Sequence, residues 1–311
     1  VRIVSLLPSV TEIVAALGLE DHLVGRTHEC DHPPSAARVP VMTSSRLAGL
    51  GLDGEAIDGA VAEATGGAGL YDLDERALGE ARPDIIITQA LCDVCAVDYD
   101  RVRDAAARLA RRPDVLSLEP ETLEGVIESI SVIGDAVGAP GAAAPLVAGL
   151  RERLARVEEA VADEPRPRAV CLEWIEPPYA AGHWVPEQAA LAGAHDPLGR
   201  PGRPSVRIEP ARVREAEPEF LVLMPCGWGA DDAARAVRPD RFAAEYGETP
   251  AARNGRVVAV DGSSYFNRPG PRVVDGVELL AALLHPEAAP VAAPPGAARW
   301  LEPAAVGLTT R

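Results

Sequence analysis

Aromatic residues are scarce in this chain: they make up 4% of 311 residues, with three Phe, five Tyr and four Trp. Aliphatic side chains must therefore fill the core, and any local gathering of rings calls for its own explanation. Cysteines number five, an odd count with a single CxxC, which excludes the paired framework of a small secreted scaffold. Basic residues are outnumbered 30 to 47, for a formal net charge of -17. No basic patch interrupts the acid, so nucleic acid and anionic membrane surfaces are both disfavoured as partners. No run approaches the roughly 18 apolar residues of a membrane span, which argues against direct insertion. Catalytic signatures are also missing: there is no Gly-x-Ser-x-Gly elbow, no P-loop and no HExxH. The opening "VRIVSLLPSVTEI" lacks the basic start and small-residue cleavage site of a secretory signal. Together with the thiol count this predicts a cytoplasmic protein; a signal removed before residue 1 would place it outside instead.

What is present has a clear rhythm. Apolar content of 47% and charged content of 25% are globular values. "RIVSLL" reads as a strand and "PSVTEIVAALGL" as a helix, with Ser9 as its cap and Gly18 at its end. "HLVGRT" and "VPVMT" read as strands, "LDERALGEARP" as a helix and "DIIITQ" as a strand buried on both faces. "DYDRVRDAAARLARR", "DVLSLE" and "TLEGVIESISVIGDAVG" continue as helix, strand and helix. The alternation predicts an α/β fold of two parallel-sheet lobes. The N-terminal lobe takes residues 1–141 and a single long helix 142–164. The C-terminal lobe takes 165–286, and an Ala/Pro-rich, loosely ordered tail takes 287–311. "LGEARPDIIITQ" and "VREAEPEFLVLM" repeat helix, proline, acid and apolar strand at equal offsets, so the lobes are expected to resemble each other.

Ligand groups in parallel sheets collect past the carboxyl ends of strands. In this chain those positions hold Pro8 and Ser9; His28, Glu29 and Cys30 of "HECDHPP"; and Gln89, Cys92 and Cys95 of "TQALCDVC". In the second half they hold Trp174, Tyr179, His183 and Trp184, then Cys226 and Trp228, then Tyr265, Phe266, Arg268 and Arg272. Cys92 and Cys95 could be a metal half-site, a redox pair or packing residues at a strand end. "HECDHPP" could be a solvated turn, or could bring His28 or Cys30 to a bound transition metal. The aromatic set could be lobe core, or a wall for a flat apolar macrocycle. Arg268 and Arg272 could be solvated turn residues, or could meet a phosphate or carboxylate.

The segments "RIVSLLPSVTEIVAALGL", "GRTHECDHP", "TQALCDVCAV", "EWIEPPYAAGHWVPE" and "NRPGPRVVDGVELLA" resemble the iron-siderophore and cobalamin class of substrate-binding proteins. Within that class they are most similar to the cobalamin-binding branch. The resemblance spans about residues 2–286. It implies two Rossmann-like lobes, one backbone helix and a ligand in the cleft between lobes. In exported relatives it also implies docking on an ABC transporter permease through a surface acid on each lobe. The expected function is therefore non-enzymatic binding of cobalamin or a related corrinoid or metal chelate. The expected ligand contacts are the strand-end residues named above other than Cys95 and Arg272. The candidate metal ligands are His28, Cys30, Cys92, Cys95 and His183, for zinc or another transition metal. A metal-dependent or thiol enzyme and a plain zinc-binding protein are the alternatives.

Overall fold

A computed structural model describes residues 1–47, 54–64, 70–89 and 97–307. Contacts divide the chain into two units. The first takes Val1–Pro120 and Gly125–Gly149, and the second takes Glu121–Glu124 and the chain from Leu150 onward.

In the first unit, β1 (Ile3–Ser5) is buried throughout and leads into α1 (Pro8–Ala16). Pro8 takes the first helical position, where its missing N–H costs nothing. The cap is therefore Leu7, in extended backbone and without a side-chain bond; the expectation that Ser9 caps this helix is corrected. Gly18 follows the helix at φ 74°, a left-handed turn that suits glycine. Next come β2 (Leu23–Arg26), β3 (Thr43–Ser45), α2 (Gly54–Ala64) and β4 (Tyr71–Leu73). "VPVMT" is not one sheet strand as expected: Val41 bridges Arg26, and Thr43–Ser45 turns away to pair antiparallel with β4. Helix α3 (Glu75–Ala81) is capped by Asp74, whose side chain accepts from the Ala77 N–H. Strand β5 (Ile85–Thr88) is wholly buried. Asp98 caps α4 (Tyr99–Arg108), and β6 (Asp114–Ser117) and α5 (Leu123–Ala136) follow. The sheet order is β2-β1-β5-β6, parallel throughout. Val4, Leu6, Leu78, Ile86 and Val102 pack as its core.

Helix α6 (Pro140–Ala160) runs 21 residues, roughly 30 Å at 1.5 Å per residue. In the second unit Arg153 of this helix pairs with Glu278 at 2.9 Å through Nε and also with Asp275.

The second unit begins with β7 (Ala169–Trp174), β8 (Tyr179–Ala180), β9 (Gly182–His183), α7 (Val185–Leu191), β10 (Arg200–Pro201) and β11 (Val206–Arg207). It continues with α8 (Pro210–Glu215), β12 (Phe220–Leu223), α9 (Ala230–Ala236), α10 (Pro239–Tyr246) and α11 (Pro250–Arg253). Last come β13 (Val257–Val260), α12 (Gly262–Tyr265), α13 (Val273–Leu284) and β14 (Ala298–Trp300). Sheet order is β11-β8-β7-β12-β13-β14. Strands β7, β12 and β13 pair in parallel, while β8 pairs antiparallel with β7, β11 with β8 and β14 with β13, so this sheet is mixed. Beside it, β9 and β10 form a small parallel pair.

The tail is a further correction. Ala298–Trp300 pairs with Val258–Val260, and Leu301 and Val306 are buried in the second core. Its alanines and prolines hide a short edge strand that composition alone does not reveal.

The repeat seen in the sequence has a structural counterpart. Arg2 and Arg168 each donate their main-chain N–H to an acid ahead of the neighbouring strand, Asp84 at 2.9 Å and Glu219 at 3.0 Å. Each arginine's Nε reaches a carbonyl at the end of the preceding helix region, Ala81 and Glu217 respectively. Arg82 and Glu217, each directly before a proline, share left-handed backbone at φ 46° and 44°. Non-glycine residues rarely adopt that conformation, so one turn device has been used in both units.

Candidate functional site

The strand-end residues of the first unit sort by polarity. Ser5 Oγ donates to the Leu7 carbonyl at 2.8 Å, Thr11 Oγ1 bonds Ser5 Oγ at 2.8 Å, and Cys30 Sγ lies 3.0 Å from Thr11 Oγ1. Cys30 is buried and ties the loop after β2 to the first turn of α1. The expectation that its thiol serves as a ligand is corrected: the sulfur is engaged inside the unit. Arg26 supports the same loop, with Nη1 donating to the carbonyls of Thr27 and Cys30. Ser9 and Gln89 are buried and Pro8 is half-buried.

His28 stands apart from this interior set. Its Nδ1 is 2.7 Å from Thr43 Oγ1, which also bonds Thr27 Oγ1 at 2.8 Å. Its ring packs on Tyr71 at 5.3 Å between centroids, and Glu29 lies 3.2 Å from Nε2. Half-buried, His28 and Tyr71 form the aromatic surface of the first unit's ribbon. Tyr71 was missed by sequence reasoning, because a three-residue strand carries too short a pattern to be read. Nearby, Arg46 Nη2 and Arg101 Nη2 meet Asp72 at 2.6 and 3.3 Å and hold its carboxyl down at about 2. Cys92 and Cys95 lie outside the described residues.

The second unit carries the larger aromatic group. Trp174 ends β7 and Trp228 follows β12; their rings are 5.1 Å apart and inclined at 50°. Tyr179 sits directly across the β7–β8 pair from Trp174. Residues opposed in this way project on one face of the sheet. Cys226, exposed, stands in the turn before Trp228. That turn is held from two sides. The Cys226 N–H donates to the Glu173 carbonyl at 3.1 Å, and the Ser263 N–H donates to the Trp228 carbonyl at 3.2 Å. Gly262 permits the second contact: a Cβ there would lie 2.5 Å from the Pro225 carbonyl oxygen.

Trp184 and Phe266 do not join this surface, which corrects the expectation of one continuous aromatic wall. Trp184 is 5% exposed and Phe266 is 0% exposed. The indole Nε1 donates to the Phe266 carbonyl at 2.7 Å, so both rings belong to the packing of α7 against α12 and α13. Tyr265 remains half-buried at the end of α12, with the Arg272 guanidinium 6.0 Å over its ring. Burial raises the Tyr265 phenol above its ordinary range. Arg268 is half-buried in the same segment.

His183 has left-handed backbone at φ 47°, held by its N–H to the Arg203 carbonyl and by the Gly202 N–H to its own carbonyl. Burial lowers its pKa, partly offset by Glu121, so the ring is neutral near pH 7. Its Nε2 is buried without a hydrogen-bond partner. Among the described residues, no three or more His, Cys, Asp and Glu side chains are grouped to hold a metal ion. Of the candidate metal ligands, His28 and Cys30 lie in the first unit and His183 in the second, and within neither unit do the described residues group three such side chains.

Among the described residues no helix is long and apolar enough to cross a membrane. A model of the periplasmic binding protein family matches residues 3–263. The uncharacterized ABC transporter substrate-binding lipoprotein YvrC of Bacillus subtilis is 23% identical over 291 residues, 92% of this chain and 80% of that protein. A cobalamin-binding protein of Halobacterium salinarum is 25% identical over 289 residues, 91% of this chain and 69% of that protein. A periplasmic heme-binding protein of Pseudomonas aeruginosa shares the fold with a TM-score of 0.69 at 24% identity, covering 94% of this chain and 95% of its own. The periplasmic vitamin B12-binding protein BtuF of Vibrio cholerae does so with a TM-score of 0.67 at 20% identity, covering 91% and 96%. The parallel strand ends, the rings gathered on them and the match over residues 3–263 agree: the chain belongs to the periplasmic binding protein family, a family of non-enzymatic binding proteins.

Proposed function

We propose that this chain is an ABC-transporter-type substrate-binding protein for a flat, metal-bearing tetrapyrrole-like ligand, with cobalamin or a related corrinoid first. The observation that carries the reading is the aromatic ledge of Trp174, Tyr179 and Trp228 past the ends of β7 and β12. In a protein with so few rings, three on one strand-end surface offer a macrocycle a broad apolar face. The half-buried Arg268 and Arg272 lie in the segment between α12 and α13 and suit peripheral phosphate or carboxylate. In the first unit, Pro8, Ser9, His28 and Gln89 follow strand ends, Ser9 and Gln89 buried, and the His28 ring packs on Tyr71 at the start of β4. The names of the Halobacterium and Vibrio relatives support a corrinoid, and that of the Pseudomonas protein supports heme as the second reading. The ligand brings its own metal, so the scattered Cys and His side chains need not coordinate one.

Calorimetric titration with cobalamin, cobinamide, hemin and zinc, followed by visible spectra, tests the reading. A corrinoid should bind one to one, with a shifted visible spectrum and quenched tryptophan emission. Binding of hemin without either corrinoid would replace the first ligand by the second. Stoichiometric zinc with no tetrapyrrole would remove both. Cell fractionation then separates capture outside the cytoplasmic membrane for a transporter from handling of the ligand inside the cell.

A further inference from the structure

Trp184 and Gln188 lie four residues apart at the start of α7 and so share one face of it. From that face Trp184 Nε1 donates to the Phe266 carbonyl at 2.7 Å, and Gln188 Nε2 donates to the carbonyls of Tyr265 at 3.0 Å and Val273 at 2.7 Å. The accepting residues bracket one segment: Tyr265 closes α12, Val273 opens α13, and residues 266–272 run between them. Gln188 is 0% exposed and its Oε1 has no partner. A buried, unsatisfied amide oxygen is costly. An apolar side chain of the same size would avoid that cost, so what distinguishes glutamine here is its pair of donor bonds. Gly276 supports the arrangement from α13: a Cβ there would lie 2.4 Å from the Tyr265 carbonyl oxygen and 2.7 Å from Gln188 Nε2. Two side chains and one missing side chain thus hold both ends of the segment.

Tyr265, Arg268 and Arg272 are half-buried here, as are Asn267, Pro269 and Pro271, and the Arg272 guanidinium lies over the Tyr265 ring. We propose that Gln188 and Trp184 are positioning residues, which fix Tyr265 and Arg272 as a rigid aromatic–cationic edge for an anionic group at the ligand's periphery. The shared chemistry is a phosphate or a carboxylate, from the nucleotide loop of a complete corrinoid or the side chains of a porphyrin. A planar guanidinium pairs with either oxyanion in a fixed geometry. Its bonds form at lower ordering cost when the backbone beneath it is already held. The inference rests on the ligand reading above and extends it from the ledge to the helix behind the 265–273 segment.

The test uses Gln188→Met, which keeps length and removes both donors, Trp184→Phe, which removes one donor, and Gly276→Ala, which crowds the segment from the other side. Amide hydrogen exchange across residues 266–272 in the ligand-free protein reads the bracing. Dissociation constants for cobalamin, for cobinamide (which lacks the phosphate) and for hemin read the positioning. Gln188→Met and Gly276→Ala should each raise exchange in 266–272 about tenfold and weaken the phosphate- or carboxylate-bearing ligand about tenfold, leaving cobinamide within about twofold. In an Arg272→Gln background, Gln188→Met should add little, since both changes remove the same contact. Unchanged exchange in both variants overturns the bracing. Raised exchange with unchanged affinities, equal losses for all three ligands, or fully additive losses with Arg272→Gln overturn the positioning. A wild-type protein that binds none of the three overturns the ligand reading and the ligand half of this inference together, while exchange still decides the bracing.

Discussion

Trp174 ends β7, Trp228 stands in the turn after β12, and their ring centroids meet 5.1 Å apart at 50°. Each is half-buried, so the pair is both supported and accessible. Aromatic contacts of this kind contribute about 0.5–1.5 kcal/mol beyond area burial. Trp228→Leu is expected to weaken tetrapyrrole binding about 3- to 10-fold with little loss of stability. Titration of the variant checks this; unchanged affinity would remove the ledge from the ligand surface.

The Cys30–Thr11 contact makes the opposite kind of prediction. Because Cys30 Sγ is buried 3.0 Å from Thr11 Oγ1, it supports the fold. Thr11→Val removes a hydroxyl that bonds both Cys30 and Ser5. It should cost about 1–3 kcal/mol in urea unfolding, while Cys30→Ser leaves zinc and tetrapyrrole affinity unchanged. A Cys30→Ser variant that loses stoichiometric metal would restore the thiol as a ligand.

Deleting residues from Glu287 onward should destabilise the second unit. Leu301 and Val306 are buried in its core, and β14 pairs with β13. Two such side chains correspond to about 3–5 kcal/mol, an upper bound because unfolded chains already hide some apolar surface. An unchanged denaturation midpoint would show the tail to be dispensable.

Asp196 makes stability depend on pH. Burial pushes its carboxyl up to about 6 from the ordinary 3.8, against N–H groups of Leu198, Cys171 and Gly199 that favour the anion. Between about pH 4 and 6 the folded chain therefore binds more protons at this group than the unfolded chain does. Its contribution to stability is complete below that window and declines as pH rises through it, by up to about 3 kcal/mol. Asp196→Asn keeps an acceptor for the Leu198 and Gly199 N–H groups and should flatten the decline. Urea midpoints of both proteins across the window provide the check. A wild-type midpoint that climbs from pH 4 to 6 relative to the variant would reverse the assignment.

The two halves were legible as related because their turns obey one local rule. A helix stops, a residue goes left-handed before proline, and an acid captures the arginine N–H beside the next strand: Arg82 to Asp84 with Arg2, and Glu217 to Glu219 with Arg168. Those requirements fall on a few consecutive residues, so they leave a pattern. Strand β4 and helix α9 were not legible, since "YDL" and "ADDAARA" are too short or too polar to show a period. In the candidate site, the strand-end positions could be read. Which way each ring faces could not: Trp174 and Trp184 come from the same short stretch, yet one forms the ledge and the other packs behind the 265–273 segment.

The sequence by itself determined the α/β alternation, the repeat and the collection of thiols, imidazoles and rings at strand ends, because those follow from periodicity and turn chemistry along the chain. Only the tertiary structure decided that Cys30, Trp184 and Phe266 belong to the interior while Trp174, Cys226 and Trp228 reach the surface. That division depends on close approaches between distant segments, such as Gly262 against Pro225 and Gly276 against Tyr265. Such contacts set the depth of each side chain, and no local pattern encodes them.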